Sequence, residues 1–409
     1  MNQTATIRRV CVMWSRLGPY HAARLAATHS LLNSRAVELV ALETASQDSV
    51  YDWDEIRSQT PYWRETMFPG RLYDDIHVAD MRRMVIQTLD RIDPDAVAIT
   101  SYSTPDARAA LTWCRRRKRV AVMMFDSRRE DAVRSSVREW PKRQLVRLFD
   151  AALVGGTPHV AYAVELGVPR PYVFTPFDVV DNDYFARGAS RSRLGSTCSK
   201  TPYFLFVGRL TEVKNIPTLL AAYAQYRSGA SRPWELVIVG DGSQRQRLET
   251  LAGEGVVFAG SRQIHELPTF YGRAGAFVLP SWKDTWGLVV NEAMAAGLPV
   301  LVSSRAGCAP DLVDVGRNGW TFQPDAPDDL ARRLAEVSTL PETERASLGR
   351  RSQAIIASYR PENFAKSLWE AIEAGRSRSD RGFSLGGRAV LALLRVLTRR
   401  ATSFHAIPD

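Results

Sequence analysis

A short segment in the second half of the chain places two cations directly after an apolar run. Arg209 and Lys214 follow the run YFLFV and Gly208, where a buried strand is predicted to end and a helix to begin. Open α/β sheets bind ligands at this position, and cations beside free helix amides form an anion site. Two unit charges about 4 Å apart at a partly shielded site attract by roughly 4 kcal/mol, enough to hold a diphosphate. Taken alone, such a pair would more often be ordinary solvated surface.

A second segment, SWKDTWGLVVNEAM, has the same arrangement and supports the functional interpretation. Gly287 would let a ligand approach the start of a helix, where the amides of Leu288 and Val289 can meet phosphate oxygens. Asp284 precedes this turn and Glu292 lies on the helix, so both carboxylates can accept hydrogen bonds from sugar hydroxyls. The two segments together predict a nucleotide-sugar pocket.

The elements that must position these residues alternate along the whole chain. Near-continuous apolar runs, such as RVCVMW, AVAIT, LVIV and AFVL, are separated by helical segments, which is typical of parallel sheets covered on both faces. A stretch of small, polar and basic residues without apolar periodicity separates the alternating strands and helices into two groups. The sequence therefore predicts an α/β fold of two doubly wound, Rossmann-like domains. The predicted parts are an amino-terminal acceptor-binding domain (1–186), a linker (187–201), a nucleotide-sugar-binding domain (202–360), a helix crossing back to the first domain (361–375) and a basic amphipathic tail (376–409).

Composition and charge narrow the classes of function. The 409 residues are 45% hydrophobic and 24% charged, as in globular proteins, and the four cysteines are too far apart for a metal motif. The first apolar run has five residues and no later one reaches membrane-spanning length, so we expect a cytoplasmic protein.

The net charge of +10 arises from residues 105–150 and 375–409. These segments mix basic and apolar residues, so they predict either an anionic membrane surface as partner or a solvated basic face. The run Arg115 to Arg119 lacks the aromatic or base-reading residues of a nucleic-acid binder, and nucleic acid is not expected as a partner.

Five motifs, in order, resemble the carboxyl-terminal lobe of the GT-B glycosyltransferases of the large family numbered 4. They are GRLTEVKN, IVGDGSQRQRLE, HELPTFYGRAGAFVLPS, DTWGLVVNEAMAAGLPV and GCAPDLVDVGRNG, within residues 202–364. The resemblance implies that Arg209 and Lys214 hold a diphosphate and that Glu292 binds the ribose. Asp284 stands where the family has a glutamate facing the transferred sugar. Its side chain is shorter by one methylene, so its carboxylate lies further from the sugar.

The resemblance also implies a reaction and its partners. It implies transfer of a sugar from a nucleotide diphosphate to a hydroxyl with retention of configuration, without metal or bound cofactor, in polysaccharide or glycolipid synthesis. The acceptor would be lipid-linked, a saccharide or a small molecule. The family's base pocket falls near Ser261, Arg262 and Gln263 but does not identify the base. A GT-B epimerase, or a member that binds donor without transfer, is the alternative.

The amino-terminal lobe resembles the family only weakly. Gly18 stands alone in the place of the family's glycine-rich loop after the first strand. His21 and Arg24 are expected on the first helix, facing the cleft between the lobes, where the acceptor binds; for His21 the alternative is packing or capping of that helix. Many members carry a histidine after the fifth strand; here Asp126 follows that strand and is the predicted catalytic polar group.

Overall fold

The chain folds into two compact α/β units. A computed structural model describes residues 6–47, 60–132, 136–194 and 201–397. The first unit contains Met1–Asp178 and Pro361–Asp409, and the second contains Val179–Arg360.

The described ranges contain thirteen strands and fifteen α-helices, numbered here in chain order. The strands are β1 Arg9–Trp14, β2 Glu38–Gln47, β3 Trp63–Leu72, β4 Ala96–Thr100, β5 Val120–Phe125, β6 Ala151–Val154, β7 Val173–Phe174, β8 Tyr203–Val207, β9 Glu235–Val239, β10 Val256–Gly260, β11 Ala274–Leu279, β12 Val300–Ser303 and β13 Gly319–Phe322. The helices are α1 Pro19–Asn33, α2 Val78–Ile92, α3 Pro105–Arg117, α4 Ser136–Val146, α5 Thr157–Leu166, α6 Asn182–Leu194, α7 Ile216–Gly229, α8 Arg245–Leu251, α9 Leu267–Arg273, α10 Leu288–Ala295, α11 Ala309–Leu312, α12 Pro327–Thr339, α13 Glu342–Ile356, α14 Pro361–Arg376 and α15 Leu385–Leu397.

The first unit is built on a parallel sheet of seven strands in the order β3-β2-β1-β4-β5-β6-β7. Strands β4, β5 and β6 are buried along almost their whole length because helices cover the sheet. Helix α1 packs against α14, and α2 packs against α3. The strand order reverses between β1 and β4, so the loops that follow these two strands adjoin the ligand-binding edge of a doubly wound sheet.

The second unit has the same design with six parallel strands in the order β10-β9-β8-β11-β12-β13. Here the order reverses between β8 and β11. The two charged segments identified in the sequence follow these two strands. Ligand chemistry in this unit is therefore expected at the carboxyl ends of β8 and β11.

Residues 187–194 of the predicted linker (187–201) belong to helix α6, and residues 195–200 lie outside the described part of the chain. This helix buries Phe185 and Ala189, four residues apart, and packs against α9. A short amphipathic helix rich in arginine and serine gives a weak periodic signal, so the sequence predicts irregular chain here. The second unit also begins at Val179 instead of residue 202.

The chain returns to the first unit at Pro361, and its basic tail helix packs there. Helix α15 lies against α4 and buries Val390 and Leu391 in the apolar core. The guanidinium groups of Arg378 and Arg381 donate to the backbone carbonyls of Asp150 (2.9 Å) and Phe149 (3.1 Å). The tail is therefore a packed element of the unit as far as residue 397, and residues 398–409 of the predicted tail lie outside the described part of the chain. No helix in the described part of the chain is both long and apolar enough to cross a membrane.

Candidate functional site

The reversal of strand order in the second unit brings Lys214 and Asp284 into contact. Lys214 follows β8 and Asp284 follows β11, and the two strands are neighbours in the sheet. Lys214 Nζ lies 2.5 Å from Asp284 Oδ2, and the side chains are 17% and 12% exposed. Residues seventy positions apart in the sequence thus form one partly buried ion pair at the predicted ligand-binding edge.

The loop that carries Lys214 is fixed by its neighbour Asn215. This residue is buried and has a left-handed backbone (φ +52°). Its side-chain amide donates to the carbonyl oxygens of Pro280 (3.1 Å) and Pro324 (2.7 Å). The amide of Trp282 also donates to the carbonyl of Val213 at 2.9 Å. The loops after β8, β11 and β13 are therefore tied together, which holds the Lys214 ammonium in place.

Asp284 accepts hydrogen bonds from two side chains through one oxygen. Its Oδ2 lies 2.5 Å from Lys214 Nζ and 3.2 Å from Ser281 Oγ. An ammonium group has three donors, so Lys214 can bind Asp284 and an anion at the same time. An ammonium and a carboxylate in contact can bind a phosphate oxygen and a nearby hydroxyl of a single ligand. This contact was not predicted from the sequence, where the two residues had separate roles.

Gly287 opens helix α10 in a conformation that other residues avoid. Its φ is +101°, and an added Cβ would lie 3.0 Å from Leu279 Cδ2. The helix continues through Leu288 and Val289, whose amides belong to the first turn, where no intrahelical carbonyl is available to them. Together with the partial positive charge of a helix start, these amides can bind an oxyanion next to Asp284.

Glu292 is fully buried on α10 and is bonded to Tyr271. The Tyr271 hydroxyl, itself in a buried side chain, lies 2.7 Å from Glu292 Oε2. A buried carboxylate needs such partners, because an isolated charge in an apolar environment is very costly. Glu292 thus lies within two helical turns of Gly287, but its exposed fraction is 0%. Tyr271 belongs to the motif HELPTFYGRAG, and the sequence analysis gave it no role.

Gly208, Arg209 and Arg262 occupy two different places along the sheet edge. Gly208 follows β8 and lies so close to the next loop that a Cβ on Gly240 would come within 1.9 Å of the Gly208 carbonyl oxygen. Arg209 is half-buried beside it. Arg262 follows the edge strand β10, where its Nη1 lies 3.2 Å from Glu266 Oε1 and its guanidinium lies 5.8 Å from the centre of the Phe270 ring. Arg262 therefore forms an ion pair with Glu266, four residues further along the chain, at the edge strand of the sheet and not at the strands that carry Lys214 and Asp284.

His21 of the first unit caps its own helix. Its Nδ1 accepts a hydrogen bond from the amide of Gly18 at 2.8 Å, and its ring lies 4.8 Å from that of Trp14. The glycine and the histidine thus form the turn between β1 and α1. The structure gives both residues a structural contact and does not test the predicted role in acceptor binding.

Arg24 is buried on helix α1, and the structure does not test its predicted position facing a cleft. Its side chain is 3% exposed, lies 3.7 Å from Asp178 Oδ1, and packs over the rings of Phe177 and Phe364 at 4.8 and 5.8 Å. Burial lowers the pKa of the Arg24 guanidinium, while the carboxylates of Asp178 and Asp126 oppose the shift. Arg24 therefore joins α1 to α14 and the end of β7. The partners that cover it lie far away in the sequence, so the helix pattern could not reveal its burial.

Asp126 lies where the sequence analysis put it, directly after β5, and it is half-buried. A separate buried network at the same sheet edge was not predicted. Asp106 accepts hydrogen bonds from Thr44 and Tyr73, both at 2.7 Å, and Glu43 accepts one from the amide of Leu17 at 2.9 Å. These carboxylates come from different elements, so no local motif marks them. They fix the loop after β1 next to the start of α3.

No group of three histidine, cysteine, aspartate or glutamate side chains that could hold a metal ion occurs in residues 6–47, 60–132, 136–194 and 201–397. The expectation of a metal-independent site stays a prediction.

Comparisons with known proteins identify relatives in sequence and in fold. Residues 196–355 match the family model described as glycosyl transferases group 1. The chain is 34% identical over 221 residues to a GDP-mannose-dependent alpha-mannosyltransferase of Mycobacterium tuberculosis, covering 52% of this chain and 56% of that protein. It is 30% identical over 201 residues to the sulfoquinovosyl transferase SQD2 of Arabidopsis thaliana, covering 46% and 38%. The alignments thus span about half or less of these relatives' length.

A solved structure of HepE from Anabaena, in complex with UDP and glucose, superimposes with a TM-score of 0.69 at 17% identity. The superposition covers 90% of this chain and 99% of that one. The predicted fold class is confirmed: the chain has a GT-B fold of two doubly wound α/β units, and residues 196–355 of its second unit match the group 1 glycosyl transferases.

Proposed function

We propose that this protein is a glycosyltransferase that moves a sugar from a nucleotide diphosphate to a hydroxyl acceptor, with retention of configuration and without a metal ion. The observation that carries the proposal is the contact of Lys214 with Asp284 beside the glycine-opened start of α10. This arrangement puts a cation, a carboxylate and helix amides at one sheet edge. A sugar diphosphate presents the matching groups, namely phosphate oxygens next to sugar hydroxyls.

The chemistry follows from where charge develops. As the bond between sugar and diphosphate breaks, negative charge grows on the leaving phosphate. Lys214, Arg209 and the amides of Leu288 and Val289 would stabilise this charge more strongly than that of the bound donor, which lowers the barrier. Asp284 would orient the sugar through its hydroxyls. The acceptor oxygen would then attack from the face that the diphosphate leaves, and a diphosphate oxygen would take its proton.

Incubation with a panel of nucleotide diphosphate sugars tests the proposed activity. We expect one donor to raise the melting temperature, because a ligand at 100 times its Kd stabilises the folded state by about 2.7 kcal/mol. The same donor, radiolabelled in the sugar, should give free nucleotide diphosphate together with a transferred or hydrolysed sugar. An isomerised donor with its diphosphate bond intact would instead identify an epimerase. Stabilisation without turnover over a broad acceptor set would identify a protein that only binds donor.

We further propose that the first unit associates with an anionic membrane surface, at the inner face of a cytoplasmic membrane. Trp140 on α4 and Leu393 on α15 are 52% and 57% exposed, and Leu385 at the start of α15 is 86% exposed. These helices pack on each other, so the exposed apolar side chains belong to one basic region of the unit. Arg388 lies in the same helix as Leu385 and Leu393. Several basic groups in this region are already neutralised, such as Lys142 by Glu139 (2.9 Å), so apolar insertion would contribute much of the binding.

Vesicle flotation of the Trp140→Ser protein tests the membrane proposal. We expect roughly tenfold weaker binding to vesicles containing acidic lipid, since burying one large apolar side chain contributes about 1.5–3 kcal/mol. The matched control is Leu251→Ser, because Leu251 is 53% exposed and lies in the second unit. If the unsubstituted protein fails to float with acidic vesicles, or if the two variants float alike, the membrane proposal is wrong.

A further inference from the structure

Helices α6 and α9 of the second unit border an open surface groove of about 460 Å³, whose three arginines are exposed. The two helices approach closely because glycines lie at their crossing. A Cβ on Gly188 would lie 2.5 Å from Pro268 Cβ, and a Cβ on Gly272 would lie 2.6 Å from the carbonyl oxygen of Ala189. The lining of the groove includes Arg187, Arg191, His265, Thr269 and Arg273. Its volume is within the range of small-molecule sites.

The groove contains three guanidinium groups and no lining carboxylate. Arg187 and Arg191 are four residues apart and therefore project from one face of α6, and Arg273 ends α9. In the described part of the chain, none of these three arginines forms an ion pair. Like charges at this helical spacing repel, so the arrangement destabilises the free protein. A bound anion would remove that repulsion.

The carboxylates on the same elements are engaged elsewhere. Asp183 of α6 lies 2.8 Å from the guanidinium of Arg360. Glu266, next to α9, accepts hydrogen bonds from Arg262 at 3.2 Å and from the amide of Gln263 at 2.9 Å. These carboxylates therefore do not neutralise the three arginines of the groove, and an anion from outside the chain would do so.

We propose that this groove is a second binding site, specific for a phosphate-bearing small molecule and separate from the donor site. Arginine suits such a ligand, because its planar guanidinium binds phosphate oxygens through two parallel hydrogen bonds. Three guanidinium groups, His265 and the hydroxyl of Thr269 surround one volume, which fits a phosphate ester or a diphosphate. None of these groove residues belongs to the set around Lys214 and Asp284.

Isothermal titration with inorganic pyrophosphate tests this second site in the full chain. The Arg209→Ala/Lys214→Ala protein lacks the two cations of the donor site, so that binding through the groove is measured without them. We expect this protein to bind pyrophosphate, and we expect the further change Arg187→Gln/Arg191→Gln/Arg273→Gln to weaken that binding at least tenfold. Absence of binding before the groove is altered, or unchanged binding afterwards, overturns the proposal. Neither result depends on sugar transfer.

A charge-matched control and a second ligand make the result specific. The variant Arg232→Gln/Arg247→Gln/Arg350→Gln removes three exposed arginines elsewhere in the second unit and should leave pyrophosphate binding unchanged. An equal loss in this control would mean that net charge alone binds the anion, which contradicts the proposal. Glycerol 3-phosphate and vesicles containing phosphatidic acid separate the two sources of phosphate. Groove-dependent binding of the first identifies a soluble ester, and groove-dependent flotation with the second identifies a lipid headgroup.

Discussion

Replacing Lys214 by alanine is expected to lower kcat by about 100- to 1000-fold at saturating donor, the loss seen when one preorganised charge-stabilising donor is removed. The ammonium lies 2.5 Å from Asp284 at the carboxyl ends of β8 and β11. Its charge would oppose the charge that grows on the leaving diphosphate, so the loss should appear in kcat as well as in kcat/KM. Steady-state kinetics with the donor found in the panel gives both values.

The control for Lys214→Ala is Lys366→Ala, which also removes one ammonium group. Lys366 is 71% exposed on α14 of the first unit, where its Nζ lies 3.9 Å from a Glu370 carboxylate oxygen. We expect its kcat to equal that of the unsubstituted protein. A thermal melt of Lys214→Ala should show that the fold persists, because Asp284 retains the hydrogen bond from Ser281. Unchanged turnover by a folded Lys214→Ala protein contradicts the assigned role.

Glu292→Gln is expected to weaken donor binding by roughly 10- to 100-fold, because a hydrogen bond to a charged group contributes about 1.5–3 kcal/mol. The substitution keeps the volume of the buried side chain, and glutamine can still accept the hydrogen bond from Tyr271. The loss should therefore come from the missing charge on α10 and not from a cavity. Titration of nucleoside diphosphate and of the whole donor measures the effect.

Tyr271→Phe separates the two roles that Glu292 can have. If the Glu292 carboxylate binds the ribose directly, removing the Tyr271 hydroxyl leaves that acceptor in place, and donor affinity should fall less than in Glu292→Gln. If the buried pair only holds α10 in position, Tyr271→Phe, which removes the hydrogen bond, should lose at least as much affinity and thermal stability as Glu292→Gln, which keeps it. The second pattern would contradict ribose binding by Glu292 and would fit its 0% exposure.

Most of the fold could be predicted because strand and helix patterns are local. Buried parallel strands are apolar along their whole length, and β4, β5 and β11 show this in the sequence. Strand β3 has no such pattern, because it is an edge strand that contains Pro69 and Gly70 and is exposed over its last residues. Helix α6 is not predicted from the sequence, because its buried face comprises few residues and its partner, α9, lies about 80 positions away.

The site could be predicted in part for a similar reason. Glycine at a helix start and cations after a strand are local signals, and they located Gly287, Arg209 and Lys214. The partners of these residues are not local. Asn215 binds the carbonyls of Pro280 and Pro324, and Tyr271 binds Glu292, through contacts that no sequence spacing reveals.

The sequence by itself determined the two-domain α/β architecture and the segments that carry charge beside helix starts, because periodicity and residue type act over a few residues. Tertiary structure alone decided which of those charges meet. It brought Lys214 to Asp284 through the reversal of strand order, and it buried Arg24 beneath Phe177 and Phe364. The physical reason is that an ion pair or a buried charge depends on distance and exposure, which the packing of distant segments sets.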